Sequence, residues 1–263
     1  MTMRTILVVL TSVLIACNAS CASAQQPDST ALFFVLGMLN DYIGRDTYQG
    51  NSLVEMLYPD ENVVGEIFKH YLNELKNDMH YTGTIRIKIG DVGHIAFYSK
   101  EIAAAIDSCF VFDFSDSSTR AEVEGRWIAL YVSRNLKREL FPVVWNNEAY
   151  AFAFLRGVYL RNAPEDILAQ LGIRKLTAEE QGRDPLQRAH LSFSNSSYKE
   201  SLTQFLLYHY GCQDIAVIDR SRYGAAPHVI DIFFEPSPAI LSDVILREVG
   251  EYSRYKRKLD DSH

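Results

Sequence analysis

Three residues in the C-terminal third of the chain have side chains suited to catalysis. His209 and Cys212 form a His-x-x-Cys pair, and an imidazole beside a thiol can bind a metal or act as base and nucleophile. Gly211 lies between them and is expected to end the helix that carries His209. This favours a helix end with a packed imidazole, and a metal or thiol site is the alternative. Asp231 is the third candidate, as a carboxylate acid or base.

Asp231 shares one face of a predicted strand with Glu235, because side chains alternate between the two faces of a strand. Four residues of extended chain separate the two carboxylates by about 13 Å. This distance is too long for the carboxylate pair of a glycosidase. We therefore expect Asp231 to be solvated or paired across strands, and a catalytic role with a distant partner is the alternative.

Other motifs for catalysis or cofactor binding are missing from the sequence. It has no zinc-binding motif, phosphate-binding loop, dinucleotide fingerprint or serine-nucleophile elbow. None of the seven histidines forms a close metal-binding pair with another. We therefore predict no metal and no cofactor.

Two cysteines, Cys109 and Cys212, lie outside the N-terminal segment. In an oxidising compartment they could form a disulfide that closes a loop of about a hundred residues and stabilises the fold by roughly 4 to 5 kcal/mol. Two separate buried thiols are an equal alternative, because the sequence does not fix the distance between them.

Helices and strands alternate along the chain and must position these residues. Hydrophobic spacing and capping residues predict helices over 29–43, 60–79, 119–140, 164–172, 197–210 and 237–258. Alternating patterns and turn residues predict strands over 84–89, 94–99, 109–114, 142–145, 150–160, 214–219 and 228–235. The run 149–155 is also compatible with a buried helix.

A helix followed by two strands occurs three times, over 60–99, 119–160 and 197–235. Residues 25–263 are therefore predicted to form a single α+β domain. In this domain a mostly antiparallel sheet has helices packed on one face, with recurring helix-strand-strand units. In the first hairpin we expect Ile85, Ile87 and Ile89 to pack and Arg86 and Lys88 to face water.

The N-terminal segment 1–24 resembles a secretory signal peptide. Arg4 precedes an apolar run over 6–16, and 22–24 reads Ala-Ser-Ala, a signal-peptidase cleavage pattern. Cleavage after Ala24 is favoured. The alternative is a lipobox that ends at Cys17, where lipidation would anchor the protein to a membrane. Both predict export to the periplasm or cell surface, with no membrane span in the mature chain.

The charge of the chain argues against a nucleic-acid partner. Lys and Arg number 26 against 33 Asp and Glu, a net charge of −7, so no overall field attracts phosphates. We therefore predict an exported, non-catalytic binding or interaction protein of the bacterial cell envelope, with an unknown protein or small-molecule ligand. The alternative is a periplasmic hydrolase with a site assembled from non-adjacent residues, first of all His209, Cys212 and Asp231.

Overall fold

The structure is a computed structural model of the chain. It describes residues 29–40, 42–44, 52–91, 93–113, 120–123, 126–129, 131–163, 167, 188–194, 198–220 and 229–262. The predicted leader 1–24, with both cleavage alternatives, and most of the predicted helix 164–172 lie outside these residues. In the part of the chain that is described, no helix has the length and apolar character needed to cross a membrane.

Helices and strands alternate through the described chain. The helices are α1 (Thr30–Met38), α2 (Asn62–Asp78), α3 (Lys100–Asp107), α4 (Leu140–Trp145), α5 (Glu148–Asn162), α6 (Tyr198–His209), α7 (Pro238–Ile240) and α8 (Arg247–Asp260). A π-helical segment (Leu241–Leu246) joins α7 to α8. The strands are β1 (Tyr42–Gly44), β2 (Leu53–Leu57), β3 (Arg86–Ile89), β4 (Ile95–Tyr98), β5 (Phe110–Asp113), β6 (Arg120–Val123), β7 (Arg126–Ala129), β8 (Tyr131–Leu136), β9 (Ala189–Ser194), β10 (Gln213–Asp219) and β11 (Val229–Glu235).

The described strands form four small sheets, and every strand pair in them is antiparallel. Three sheets have three strands each, in the orders β1-β8-β5, β2-β4-β3 and β10-β11-β9, and β6 pairs with β7. The predicted α+β class with antiparallel strands and helices is confirmed. The single-domain boundary remains a prediction.

Two helices, α1 and α5, form a central pair that is buried along most of its length. Gly37 of α1 and Gly157 of α5 lie where the helices cross. A Cβ on Gly37 would come within 2.9 Å of the Val158 nitrogen, and one on Gly157 within 3.0 Å of the Phe34 carbonyl carbon. These glycines therefore allow the two backbones to approach closely.

The long helix α2 packs one face against this pair, as its sequence pattern predicts. Its apolar residues at spacings of three and four are all buried: Val64, Ile67, Phe68, Tyr71, Leu72 and Leu75. Side chains from α1, α2, α5 and the sheets share one core cluster. The predicted caps Ser29 and Ser237 also form, since each accepts a hydrogen bond from a backbone N–H of its helix.

Three segments differ from the sequence prediction. The region 119–140 was expected to be helical, but 120–123, 126–129 and 131–136 are strands. The expected second hairpin over 142–160 is instead α4 and α5. The helix expected over 29–43 ends at Met38 and is followed by β1. In the helix-strand-strand series, the unit 119–160 is therefore corrected, while α2-β3-β4 and α6-β10-β11 form as predicted.

The predicted first hairpin forms, with β3 at the edge of its sheet. Gly93 has a φ of 85° in the turn, a backbone conformation that favours glycine. The expectation that Ile87 and Ile89 pack is wrong, since they are 40% and 75% exposed. All four residues of β3 are exposed to solvent.

Candidate functional site

The three catalytic candidates lie on different elements and have separate partners. His209 ends α6, where its ring stacks on Phe205 and meets Tyr210 edge-on. Cys212 is a buried free cysteine, and burial raises the pKa of its thiol. Asp231 lies within β11 and pairs with other residues. Among the described residues, no hydrogen bond or ion pair joins the three candidates.

The two cysteines are both buried and free, so no bridge joins them in this structure. Cys109 precedes β5 and Cys212 precedes β10. Burial raises the pKa of the Cys109 thiol as well, which disfavours the reactive thiolate. Their surroundings are those of structural thiols.

Asp231 is the centre of a polar cluster on one face of the sheet β10-β11-β9. Its side chain is fully buried, and it contacts His190 Nε2 at 3.0 Å and the Arg220 guanidinium. The His190 ring stacks parallel to Phe233 with 4.4 Å between centroids, and Arg188 lies 5.9 Å from the same Phe233 ring. We call Arg188, His190, Arg220, Asp231 and Phe233 the β9–β11 cluster. It confirms the expected cross-strand pairing of Asp231.

A second group of cations lies on the hairpin β3–β4. Arg86 and Lys88 point to one face of β3, opposite Tyr98 and Ala96 of β4. The Lys88 ammonium lies 5.2 Å from the centroid of the Tyr98 ring, a cation–π contact. We call this hairpin, with Arg86, Lys88 and Tyr98, the cationic ribbon. The sequence predicted that Arg86 and Lys88 face water, and both are exposed.

Buried ion pairs join elements that lie far apart in the sequence. Arg134 of β8 donates to Glu55 of β2 at 2.8 Å and to the Asn40 and Val54 carbonyl oxygens. It thereby ties the chain after α1 to two strands. No local signal marks Arg134 as buried, because its partners lie about 80 and 94 residues away.

Arg156 is the buried cation in the middle of α5. It bonds to Glu248, to Glu251 at 2.9 Å and to the Tyr71 hydroxyl at 2.5 Å. Burial raises the pKa of Glu248 to about 7, although Arg156 acts in the opposite direction. Arg156, Tyr71 and Glu251 line a cleft of about 480 Å³ between α2, α5 and α8. Two charged residues that line this cleft, Arg156 and Glu251, therefore pair with each other.

Metal binding has no candidate in the described part of the chain. No group of three or more His, Cys, Asp or Glu side chains is placed to hold an ion there.

Comparison with known proteins gives a fold likeness only. No family model matches the chain, and no curated protein matches it. Mesophilic variants of the homing endonuclease I-DmoI have a similar structure, with a TM-score of 0.46, 13% identity, and coverage of 85% of this chain and 94% of that one. The complex of I-DmoI with DNA and calcium has a TM-score of 0.46 and 12% identity, and the match covers 81% of this chain and 85% of that one. For the complex with DNA and manganese, the TM-score is 0.45 and the identity 12%, with coverage of 84% and 96%.

These comparisons correct two sequence predictions. The similar structures are endonucleases, several of them with bound DNA, and nothing among them supports a secreted protein or a lipoprotein. The predicted function, a non-catalytic binding or interaction protein with a hydrolase as the alternative, is corrected, because the similar structures are endonucleases. The exclusion of nucleic acid is corrected as well, since net charge averages over the whole chain and does not describe its local surfaces. The cellular location is tested by none of these findings.

Proposed function

We propose that the protein binds double-stranded DNA through the cationic ribbon. One observation carries this proposal: Arg86 and Lys88 lie side by side on a fully exposed strand, next to Tyr98 on the same face. Among the described residues neither cation forms an ion pair with a carboxylate. Their charge is therefore available to an anionic partner.

The shape of the ribbon favours a duplex. A two-stranded β-ribbon fits the major groove of B-form DNA, where its side chains reach phosphates and base edges. Arg and Lys on such a ribbon contact the phosphate backbone and fix the orientation of the protein on the duplex. The exposed edge position of β3 leaves room for this approach.

The β9–β11 cluster offers a further cationic surface. Arg188 and Arg220 belong to it, and Arg220 is 58% exposed even though it pairs with Asp231. Because Asp231 is buried beneath its partners, the outward charge of this cluster comes from the cations. These two patches can attract phosphates although the protein is acidic overall. At ordinary salt, a phosphate responds mainly to charges within about 10 Å, and more distant carboxylates are screened.

The test is a titration of a fluorescent 30-base-pair duplex, read by anisotropy at several salt concentrations. The full-length protein is compared with the double variant Arg86→Ala, Lys88→Ala. Each phosphate contact contributes about 0.9 to the slope of log affinity against log salt. We expect the double variant to bind more weakly and its slope to fall by about 2.

The matched control removes two exposed cations from α8, as Arg257→Ala, Lys258→Ala. Its net charge equals that of the ribbon variant, so any effect of overall charge is the same in both. Equal affinities and equal slopes for the two variants would refute the ribbon as the DNA-binding surface. No salt-dependent binding by the unmodified protein would refute the proposed function itself.

A further inference from the structure

A second pocket lies where the two central helices end. It has a volume of about 120 Å³ and is lined from several elements. Asn40 follows α1, Arg161 and Asn162 end α5, and Ser192 and Lys199 come from β9 and α6. Tyr58, Glu61 and Phe193 complete the lining. We call it the central pocket. It shares no residue with the cationic ribbon.

Arg161 lines this pocket and has an unused donor. Its side chain is only 4% exposed, and its Nη1 donates to Glu61 Oε2 at 2.8 Å. Its Nη2 is buried and has no hydrogen-bond partner among the described residues. A buried cationic donor without an acceptor is costly, more so than a neutral one. The position therefore favours an acceptor that enters the pocket.

A second buried cation, Lys199, lies in the pocket wall. Its Nζ donates to the Leu39 carbonyl oxygen at 2.6 Å. This contact offsets the partial negative charge at the C-terminal end of α1. Arg161 and Lys199 are thus two buried cations in the wall of the pocket, beside the Glu61 carboxylate.

We propose that the central pocket binds one phosphate group, with Arg161 Nη2 as its main donor. Arginine suits this task, because its planar guanidinium presents several donors to phosphate oxygens in fixed directions. The amides of Asn40 and Asn162 and the Ser192 hydroxyl supply further polar groups around the same space. A free phosphate ion and a phosphate of a nucleic acid offer the same chemistry to this pocket.

The test uses inorganic phosphate as the probe, titrated into the full-length protein by calorimetry at pH 7 in a phosphate-free buffer. Arg161→Gln removes the donor, and we expect the dissociation constant for phosphate to rise at least about tenfold, equivalent to about 1.4 kcal/mol. Glu61→Gln keeps the shape but removes the opposing charge, and we expect it to tighten phosphate binding several-fold. A purely structural role of Glu61 would give no such tightening.

The outcomes separate this proposal from the proposed function. Equal phosphate affinity in the unmodified protein, Arg161→Gln and Glu61→Gln would overturn it, as would no binding at all. If Arg161→Gln does not fold, the phosphate affinity of Glu61→Gln decides: tighter binding than in the unmodified protein supports the proposal, and equal affinity overturns it. The variant Arg86→Ala, Lys88→Ala should bind phosphate as the unmodified protein does, even where it loses the duplex.

A competition experiment identifies the source of the phosphate. Release of bound phosphate by an unphosphorylated duplex would assign the pocket to the nucleic-acid backbone. Retention of phosphate in the presence of saturating duplex would assign it to a free ion. Both results support a phosphate site.

Discussion

The central helix pair and the cationic ribbon use arginine in opposite ways. Arg156 lies within α5, is almost fully buried and bonds to two carboxylates. Arg86 lies on an edge strand, is exposed, and forms no ion pair among the described residues. The first orients helices around a core, and the second leaves its charge available for a partner.

The difference shows that residue type alone does not identify a binding surface. A buried arginine whose carboxylates surround it has a structural task, because breaking such a pair leaves an uncompensated charge inside the protein. An exposed cation contributes little to stability, so its energetic effect appears only when a partner binds. Stability and binding measurements should therefore separate the two regions.

The largest expected effect follows removal of the buried cation. Arg156→Met leaves the buried Glu248 without its guanidinium, and we expect the free energy of unfolding to fall by about 3 to 5 kcal/mol. Urea denaturation at pH 8 measures it. The control Arg254→Met removes an exposed cation that also pairs with Glu251, and should change stability by less than about 1 kcal/mol. Similar losses in both variants would contradict the assigned difference.

A smaller loss is expected at the helix crossing. Gly157→Ala puts a Cβ against the backbone of α1, and overpacking of this kind costs about 1 to 3 kcal/mol. Gly250 of α8 has no atom within 4 Å of the added Cβ, so Gly250→Ala should stabilise by about 0.5 to 1 kcal/mol. Thermal or urea unfolding of the pair compares them directly. Loss of stability at Gly250 alone would refute the close helix approach.

The buried acid Glu248 predicts a pH dependence. Its folded-state pKa is raised to about 7, chiefly by burial, so the folded protein holds a proton that the unfolded chain releases at lower pH. Its contribution to stability is therefore present at pH 4 and is lost as the pH rises to about 7.

Glu248→Gln should remove that part of the pH dependence, an effect of about 3 kcal/mol between pH 4 and pH 8. Unfolding curves between pH 4 and pH 8 measure it. An unchanged slope in Glu248→Gln would show that another group titrates.

The smallest effect is expected on the ribbon. Ile89→Val should change stability by less than about 0.5 kcal/mol, because Ile89 is exposed. The same substitution at the fully buried Ile67 of α2 should cost about 0.5 to 1.5 kcal/mol. Equal costs, measured by urea denaturation, would mean that β3 packs against the protein after all.

The sequence predicts those elements whose local pattern and tertiary position agree. The helix α2 has an apolar stripe because one face packs and the other meets water. The helix α5 is buried on all sides between Ala151 and Arg161, so no period of 3.6 residues marks it. A continuous run of aromatic and aliphatic residues is typical of a buried strand as well as of a buried helix, so the sequence alone does not distinguish them here.

Long-range pairing explains the other error. The pair Thr119 and Glu122 matches a capping box and predicts a helix, but β8 pairs with β1 and β5 in one sheet. Contacts distant in sequence override a local helix signal of this kind.

Sequence reasoning also found only part of the candidate sites. Arg86 and Lys88 were placed correctly on the solvent-exposed face of a hairpin. Asp231 was expected to be solvated or paired across strands, and the structure shows the pairing. Arg161 was missed, because its burial and its unused donor depend on elements far along the chain.

The most direct test of the DNA-binding proposal is nuclear magnetic resonance of the amide-labelled protein, with and without a 30-base-pair duplex. Binding by the ribbon predicts chemical-shift changes at Arg86–Ile89 and Ile95–Tyr98, with little change along α1 and α5 inside the core. Shift changes confined to α8, or none at saturating duplex, would contradict the proposal.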